Sequence, residues 1–354
     1  MKTALKLLFV SAILLCAVSC SPNPKESAQW SHAAAFCQLE PDTASLAAVQ
    51  LKAAGFDALI LDSTTNMSEQ QLRQAVEESH AIGQKIVAVW RFETDTITDT
   101  AALLERQRRK ELVKKMRYLT EEIGFDGLYL QNMTLAGNLF GKKEAAKLRH
   151  HKKELLLISD SKENDATAFD ATVESAFEIV ADSLEAGNAN VDYLRKKLLD
   201  RAGETTLPLY YLSRGDSSSE QWHALTALSY FLPDLSVVNS HSIIDTDSSF
   251  FATLGRLRNS SRAMQASPNE SGFVFKELPN DAKNKVFSAV RTAKGETVAA
   301  IFNLTDSNVQ TTVEFDSLSG DYLDCMADFE SAIAAASTFT LLPWQYMILI
   351  KKDL

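Results

Sequence analysis

From about Ala33 to Ser240 the chain repeats one pattern, a short apolar run followed by an amphipathic segment of helical period. The runs Ala33–Cys37, Ala58–Leu61, Ile86–Trp90, Leu128–Leu130, Leu155–Ile158, Leu207–Leu212 and Leu235–Val238 lack the alternation of a half-solvated strand. Strands apolar on both faces, each followed by a helix, belong to a parallel sheet. The helices carry their own punctuation. Leu46–Ala54 ends at Gly55, Ser68–Ile82 at Gly83, and Ala101–Ile123 at Gly124, the residue expected where a helix closes in a left-handed conformation. Ser68 with Gln71 three residues on predicts an N-terminal capping box. About eight such units in roughly 240 residues predict a (β/α)₈ TIM barrel. An open doubly wound sheet is the alternative, and it needs fewer units.

After Ser267 the texture changes. Val286–Val290, Val298–Asn303, Gln310–Phe315, Phe339–Leu342 and Tyr346–Ile350 read as short strands, punctuated by Gly295, Gly320 and Pro343. Asp328–Ala335 is the one helical candidate. This predicts a small antiparallel β-sandwich domain, with Trp344 in its core. The expected division is a leader over 1–19, a tether over 20–32, a barrel over 33–267 and a β-domain over 268–354.

The leader reading rests on Lys2 and Lys6, the apolar run Leu7–Leu15, and small residues before Cys20. That run is short for a bilayer span. It looks like a bacterial lipoprotein signal, cut before Cys20, with lipid on its sulfur. An ordinary secretory signal is the alternative. The expected location is the cell envelope, outer-membrane or cell-surface anchored. Asn66, Asn132, Asn259, Asn269 and Asn303 stand in glycosylation-like triplets, read as chance in such a protein. Cys37 and Cys325 fall in different predicted domains and read as two free buried thiols. Net charge of −10 argues against a nucleic-acid partner, which needs a basic face. No Cys/His spacing implies a metal, and no cofactor is expected. The run KKEAAKLRHHKKE, with His150 and His151, reads as a solvated helix face.

Several segments carry a resemblance. "LKAAGFDALILD", "AVEESHAIGQKIVAVW", "YLTEEIGFDGLYLQ", "ALSYFLPDLSVVNS" and "FFATLGRLRNSSRAM", followed by "VAAIFNLTD" and "LLPWQYMILI", resemble in order the alpha-amylase family of glycoside hydrolases (family 13), over about Ala33 to Lys351. The resemblance implies three carboxylates at strand tips on the barrel's C-terminal face: a nucleophile, a general acid/base and a transition-state stabiliser. Motif by motif, this chain departs from it. Val89 stands at the strand-three aspartate, with Glu93-Thr94 at the Asn-His pair. Tyr129 stands at the strand-four arginine and Gln131 at the nucleophile. Asp160 stands at the strand-five glutamate, and Arg214-Gly215-Asp216 at the strand-seven Asn-His-Asp.

An amide oxygen at position 131 lacks a carboxylate's charge, and Tyr129 removes the cation that keeps such a carboxylate ionised. The retaining route is therefore expected to be lost. Glu93 to Thr100 is all that replaces the family's inserted domain after strand three, which predicts an open, shallow cleft. Asp160 and Asp216 remain the catalytic candidates, as an inverting pair, or as solvated leftovers. Trp90, Arg91, Tyr129, Arg214 and His241 are the ligand-binding candidates. Trp90 reads first as core under the loops, and Asp62 equally as a helix cap or a ligand contact; His241 and Asp245 could line the mouth, though an exposed loop is the plainer reading. The resemblance implies an α-glucan or other oligosaccharide as ligand. Three readings stand: a degenerate hydrolase serving as a glycan-binding or accessory lipoprotein, an active glycosidase using Asp160 and Asp216, and a scaffold that binds a protein partner. The membrane is a partner through lipid on Cys20.

Overall fold

The computed structural model describes residues 28–39, 48–62, 64–93, 102–136, 139–161, 168–199, 207–212, 219–240, 243 and 248–352. In chain order it runs α1 (Trp30–Ala33), β1 (Phe36–Leu39), α2 (Ala48–Ala53), β2 (Ala58–Leu61), α3 (Glu69–Ala81), β3 (Lys85–Arg91), α4 (Ala102–Arg117), β4 (Gly127–Gln131), α5 (Met133–Ala136) and α6 (Lys142–His151). There follow β5 (Leu156–Ser159), β6 (Ala171–Glu174), α7 (Ser175–Glu185), α8 (Val191–Leu194), β7 (Leu207–Leu212), α9 (Glu220–Phe231), β8 (Leu235–Asn239), α10 (Ser248–Ser260) and α11 (Arg262–Gln265). Strands β1 to β8 close in sequence order into one barrel, with β1 parallel to both β2 and β8. The repeating pattern of the sequence is thus a (β/α)₈ barrel.

Local chemistry sets the boundaries. Ser68 caps α3 through the reciprocal box with Gln71. α4 continues through a π-helical turn, Tyr118–Ile123, and stops at Gly124, whose φ of 108° a side chain would resist. Two boundaries differ from expectation. β1 starts at Phe36 rather than Ala33, because Trp30–Ala33 forms a helical turn below the barrel. There Ala28 is buried and the Trp30 ring lies 6.0 Å from Phe36. β6 was missed because its four residues, Ala-Thr-Val-Glu, contain no apolar run. Ten residues, 92–101, join β3 to α4.

Side chains alternate across the barrel strands wherever they are described. Phe36, Ala58, Ile60, Val87, Val89, Tyr129, Leu156, Ile158, Leu235 and Val237 fill the barrel interior. Cys37, Leu59, Leu61, Ala88, Leu128, Leu130, Leu157 and Val238 face the helix layer. Strands buried on both faces give the unbroken apolar runs seen in the sequence.

The C-terminal strands are β9 (Val274–Glu277), β10 (Val286–Ala293), β11 (Glu296–Asn303), β12 (Val309–Glu314), β13 (Gly320–Asp324), β14 (Phe329–Ile333), β15 (Ala336–Leu341) and β16 (Tyr346–Lys351). They form a six-stranded sheet, ordered β14-β13-β16-β11-β10-β9, and a two-stranded sheet of β12 and β15. The helix expected over Asp328–Ala335 is instead strand β14, paired antiparallel to β13. Tertiary pairing overrides the helix propensity of its alanines. The large sheet is apolar on both sides. Phe287, Ala300 and Phe302 face the barrel helices, while Val290, Ile301 and Leu349 face the small sheet. Trp344 is buried and donates its Nε1–H to Asp306. Cys37 and Cys325 are free, the first buried and the second partly so.

Arg291 of β10 ties the two parts together. Its Nε donates to the Ala263 carbonyl, Nη1 to Phe231 and Leu232, and Nη2 to Met264 and Ala266, at 2.9–3.3 Å. All five guanidinium donors are used. Burial, then repulsion from Arg258, push its pKa down to about 9, so it still carries its charge at neutral pH.

Candidate functional site

The same alternation that fills the barrel builds its mouth. One inward position beyond the apolar layers lie Gln38 on β1, Asp62 just past β2, Arg91 on β3, Gln131 on β4, Asp160 just past β5 and Asn239 on β8. Each ends a series spaced by two, such as Val87, Val89, Arg91 or Leu156, Ile158, Asp160. A polar residue suits that position because the barrel there opens towards solvent.

Register brings four of them into one chain of hydrogen bonds. Arg91 and Gln131 are directly paired across β3 and β4. Arg91 Nε donates to Gln131 Oε1 at 2.7 Å, and Arg91 Nη2 reaches both oxygens of Asp62 at 3.0 and 3.1 Å. Gln38 Nε2 donates to Asp62 Oδ2 at 3.1 Å. Asp62 is 7% exposed, whereas the Arg91 side chain is 47% exposed. Asp62 is thus an ion-pair partner of Arg91. Arg91 Nη1 has no partner among the described residues and can donate outward.

Asp160 is engaged differently. Its Oδ2 accepts the N–H of Asn132 and its Oδ1 the N–H of Met133, the latter at 3.1 Å. It therefore caps the turn into α5. Asn132 holds a left-handed φ of 59° and donates its Nδ2 to the Phe92 carbonyl at 3.0 Å. Asparagine tolerates that conformation better than most residues. Both oxygens of the Asp160 carboxyl thus accept a backbone N–H, which favours its charged form and works against a general acid that must hold a proton.

Two ligand candidates fall elsewhere. Tyr129 is inward but one layer down, 8% exposed and packed in the barrel interior. Trp90 has the opposite parity and points out to the helix layer. It lines a groove of about 510 Å³ with Thr64, Tyr118 and Leu119, away from the mouth. Arg214, Asp216, His241 and Asp245 lie outside the described residues, as does Cys20. Sequence reasoning missed Gln38. Placing β1 at 33–37 hid it; with β1 at its observed position it is the next inward residue after Phe36.

At the opposite end of the barrel one buried carboxylate, Asp126, is ringed by basic groups. Asp126, before β4, accepts from the Ile86 N–H and Lys85 at 3.1 Å and contacts His80 Nε2 at 2.8 Å. Burial opposes its ionisation, but His80, the Ile86 N–H, Lys152 and Lys85 outweigh it and hold the carboxyl below its usual range. That end of such barrels serves stability. Among the described residues no group of three or more His, Cys, Asp or Glu is placed to hold a metal ion. No described helix is long and apolar enough to cross a membrane.

No protein-family model and no curated protein matches the sequence. Solved structures do match in fold. A noncanonic maltogenic alpha-amylase, AmyB from Thermotoga neapolitana, has a TM-score of 0.72 at 11% identity, over 91% of this chain and 99% of that one. The alpha-amylase of Geobacillus thermoleovorans, solved with acarbose, gives 0.74 at 12% identity, over 93% and 99%. A cyclomaltodextrinase gives 0.74 at 12%, over 94% and 80%. With β1–β8 closed into a barrel and antiparallel sheets after it, this chain has the alpha-amylase fold.

Proposed function

We propose that this protein is an exported, lipid-anchored glycan-binding or accessory component built on the alpha-amylase fold, without that fold's retaining hydrolysis. The observation that carries the reading is the commitment of the mouth carboxylates. Asp62 is held by Arg91 and Gln38, and Asp160 by two backbone N–H groups. At the position that resembles the nucleophile stands the Gln131 amide, itself accepting from Arg91. Among the described residues the mouth offers a donor for sugar hydroxyls, Arg91 Nη1, but no pair of free carboxyls of the kind that glycoside hydrolysis uses. Structures of the same fold have been solved with acarbose, maltotriose and maltose, which favours an α-linked glucan as the ligand. The anchor is the Cys20 sulfur, and the ten-residue connection after β3 accords with an open cleft.

The test is incubation of the mature protein with maltooligosaccharides, following reducing ends alongside calorimetric binding. Heat without turnover is the expected result, and Arg91→Ala should weaken binding about tenfold, the loss of one charged hydrogen bond. Turnover abolished by Asp216→Asn would overturn the reading and establish a glycosidase. Neither heat nor turnover would leave a scaffold.

A further inference from the structure

The acidity of this chain is uneven. Residues 105–154 hold thirteen Lys and Arg against seven Asp and Glu, a net +6 within a chain of −10. Two neighbouring helices carry this excess, α4 with a net +5 and α6 with a net +3. α4 and α6 are neighbours, and Val113 and Arg117 of one line a surface groove with Ala146, Lys147 and His150 of the other. Arg106, Lys110 and Lys114 recur every four residues on α4, which places them on one stripe. Lys142 and Lys143 stand exposed at the start of α6, the neighbouring helix. These five form no ion pair among the described residues. Like charges gathered on adjacent helices repel one another, and that cost is relieved by a polyanion.

The first described residues of the chain lie by the C-terminal end of α6, about one helix length, roughly 15 Å, from Lys142 and Lys143 at its start. Trp30 Nε1 donates to the Glu154 carbonyl at 3.0 Å, three residues past the end of α6. Only residues 21–27 separate Cys20 from Ala28. Eight Cα steps span at most about 28 Å, less than the diameter of a barrel of this kind.

We propose that the α4–α6 face docks on an anionic phospholipid surface. The two observations are independent: charge complementarity identifies the chemistry, and the tether's exit places such a surface within reach. The second rests on the lipoprotein reading; the first does not. Docked so, the barrel lies on its side. Its mouth opens parallel to the membrane, and a glycan reaches Arg91 laterally. Adjacent lysines and arginines near an anionic bilayer each add to the attraction, and salt screens it.

The test uses the mature chain with Cys20→Ser, so that no lipid contributes. Co-sedimentation is measured with phosphatidylcholine vesicles, alone and with about 30% phosphatidylglycerol, at about 0.05 and 0.5 M salt. Binding should require phosphatidylglycerol and vanish at high salt. The variant Lys110→Glu, Lys114→Glu, Lys142→Glu, Lys143→Glu should bind more than about a hundredfold more weakly. A control, Lys276→Glu, Lys283→Glu, Lys285→Glu on the β-domain, should bind as the parent does. Circular dichroism checks that both are folded. No binding to the anionic vesicles, or equal loss in the control, overturns the proposal, as does binding to duplex DNA at the same salt without vesicle binding. Mass spectrometry of Cys20 from the membrane fraction reads the anchor separately.

Discussion

Replacing Arg291 by methionine removes the largest single polar connection between the barrel and the β-sheet that follows it. Five N–H donors disappear, and the carbonyls of Phe231, Leu232, Ala263, Met264 and Ala266 each lose a charged partner. Two terms oppose the loss. Methionine needs no desolvation of a cation, and the repulsion from Arg258 is relieved. The unmet carbonyls outweigh these, since they lie where Arg291 is 1% exposed and water cannot replace the donor. Removing one side of a buried charged network costs about 3–5 kcal/mol. At roughly 2–4 °C per kcal/mol, Tm should fall by about 10 °C. The loss should also uncouple the two parts, so that calorimetry shows two transitions where the parent shows one. Arg291→Lys keeps the charge but offers three donors to five acceptors, and should fall between. A methionine variant melting within about 2 °C of the parent, in one transition, would refute the argument that unmet carbonyls dominate.

Two further predictions concern packing and pH. A Cβ on Gly255 would sit 2.3 Å from the Gly55 carbonyl oxygen, backbone against backbone, so neither side can yield cheaply; Gly255→Ala should cost about 3 kcal/mol or more by urea unfolding. His32 is pushed down to about 4 by burial and then by the Arg258 and Arg291 cations. Below its unfolded pKa of 6.5 the unfolded chain binds the extra proton, so stability is full above that pH. It is lost as pH falls from 6.5 towards 4, by up to about 3 kcal/mol. Urea unfolding at several pH values should show the parent losing more stability across that window than His32→Gln; equal slopes would refute the assignment.

The sequence by itself determined the architecture. Apolar runs with helical segments between them point to a parallel sheet buried on both faces, and their number favours a closed barrel over an open sheet; the pairing of β1 with β8 closes it. Caps were equally local: Ser68 and Gln71 lie three residues apart, so one helical turn suffices to join them. Where the sequence misled, the deciding partner was distant. The alanine-rich stretch at β14 is a strand because β13 offers it a ladder, and β6 exists because β5 and β7 flank it. The mouth shows the same division. That Gln131 is an amide was plain in the sequence. That Arg91 bonds it required the register of two strands forty residues apart, and that Asp160 spends both oxygens on backbone required β5 to lie beside the turn after β4. Residue identity sets what a side chain can do, whereas long-range register sets which partners remain for it, and only tertiary structure decides that.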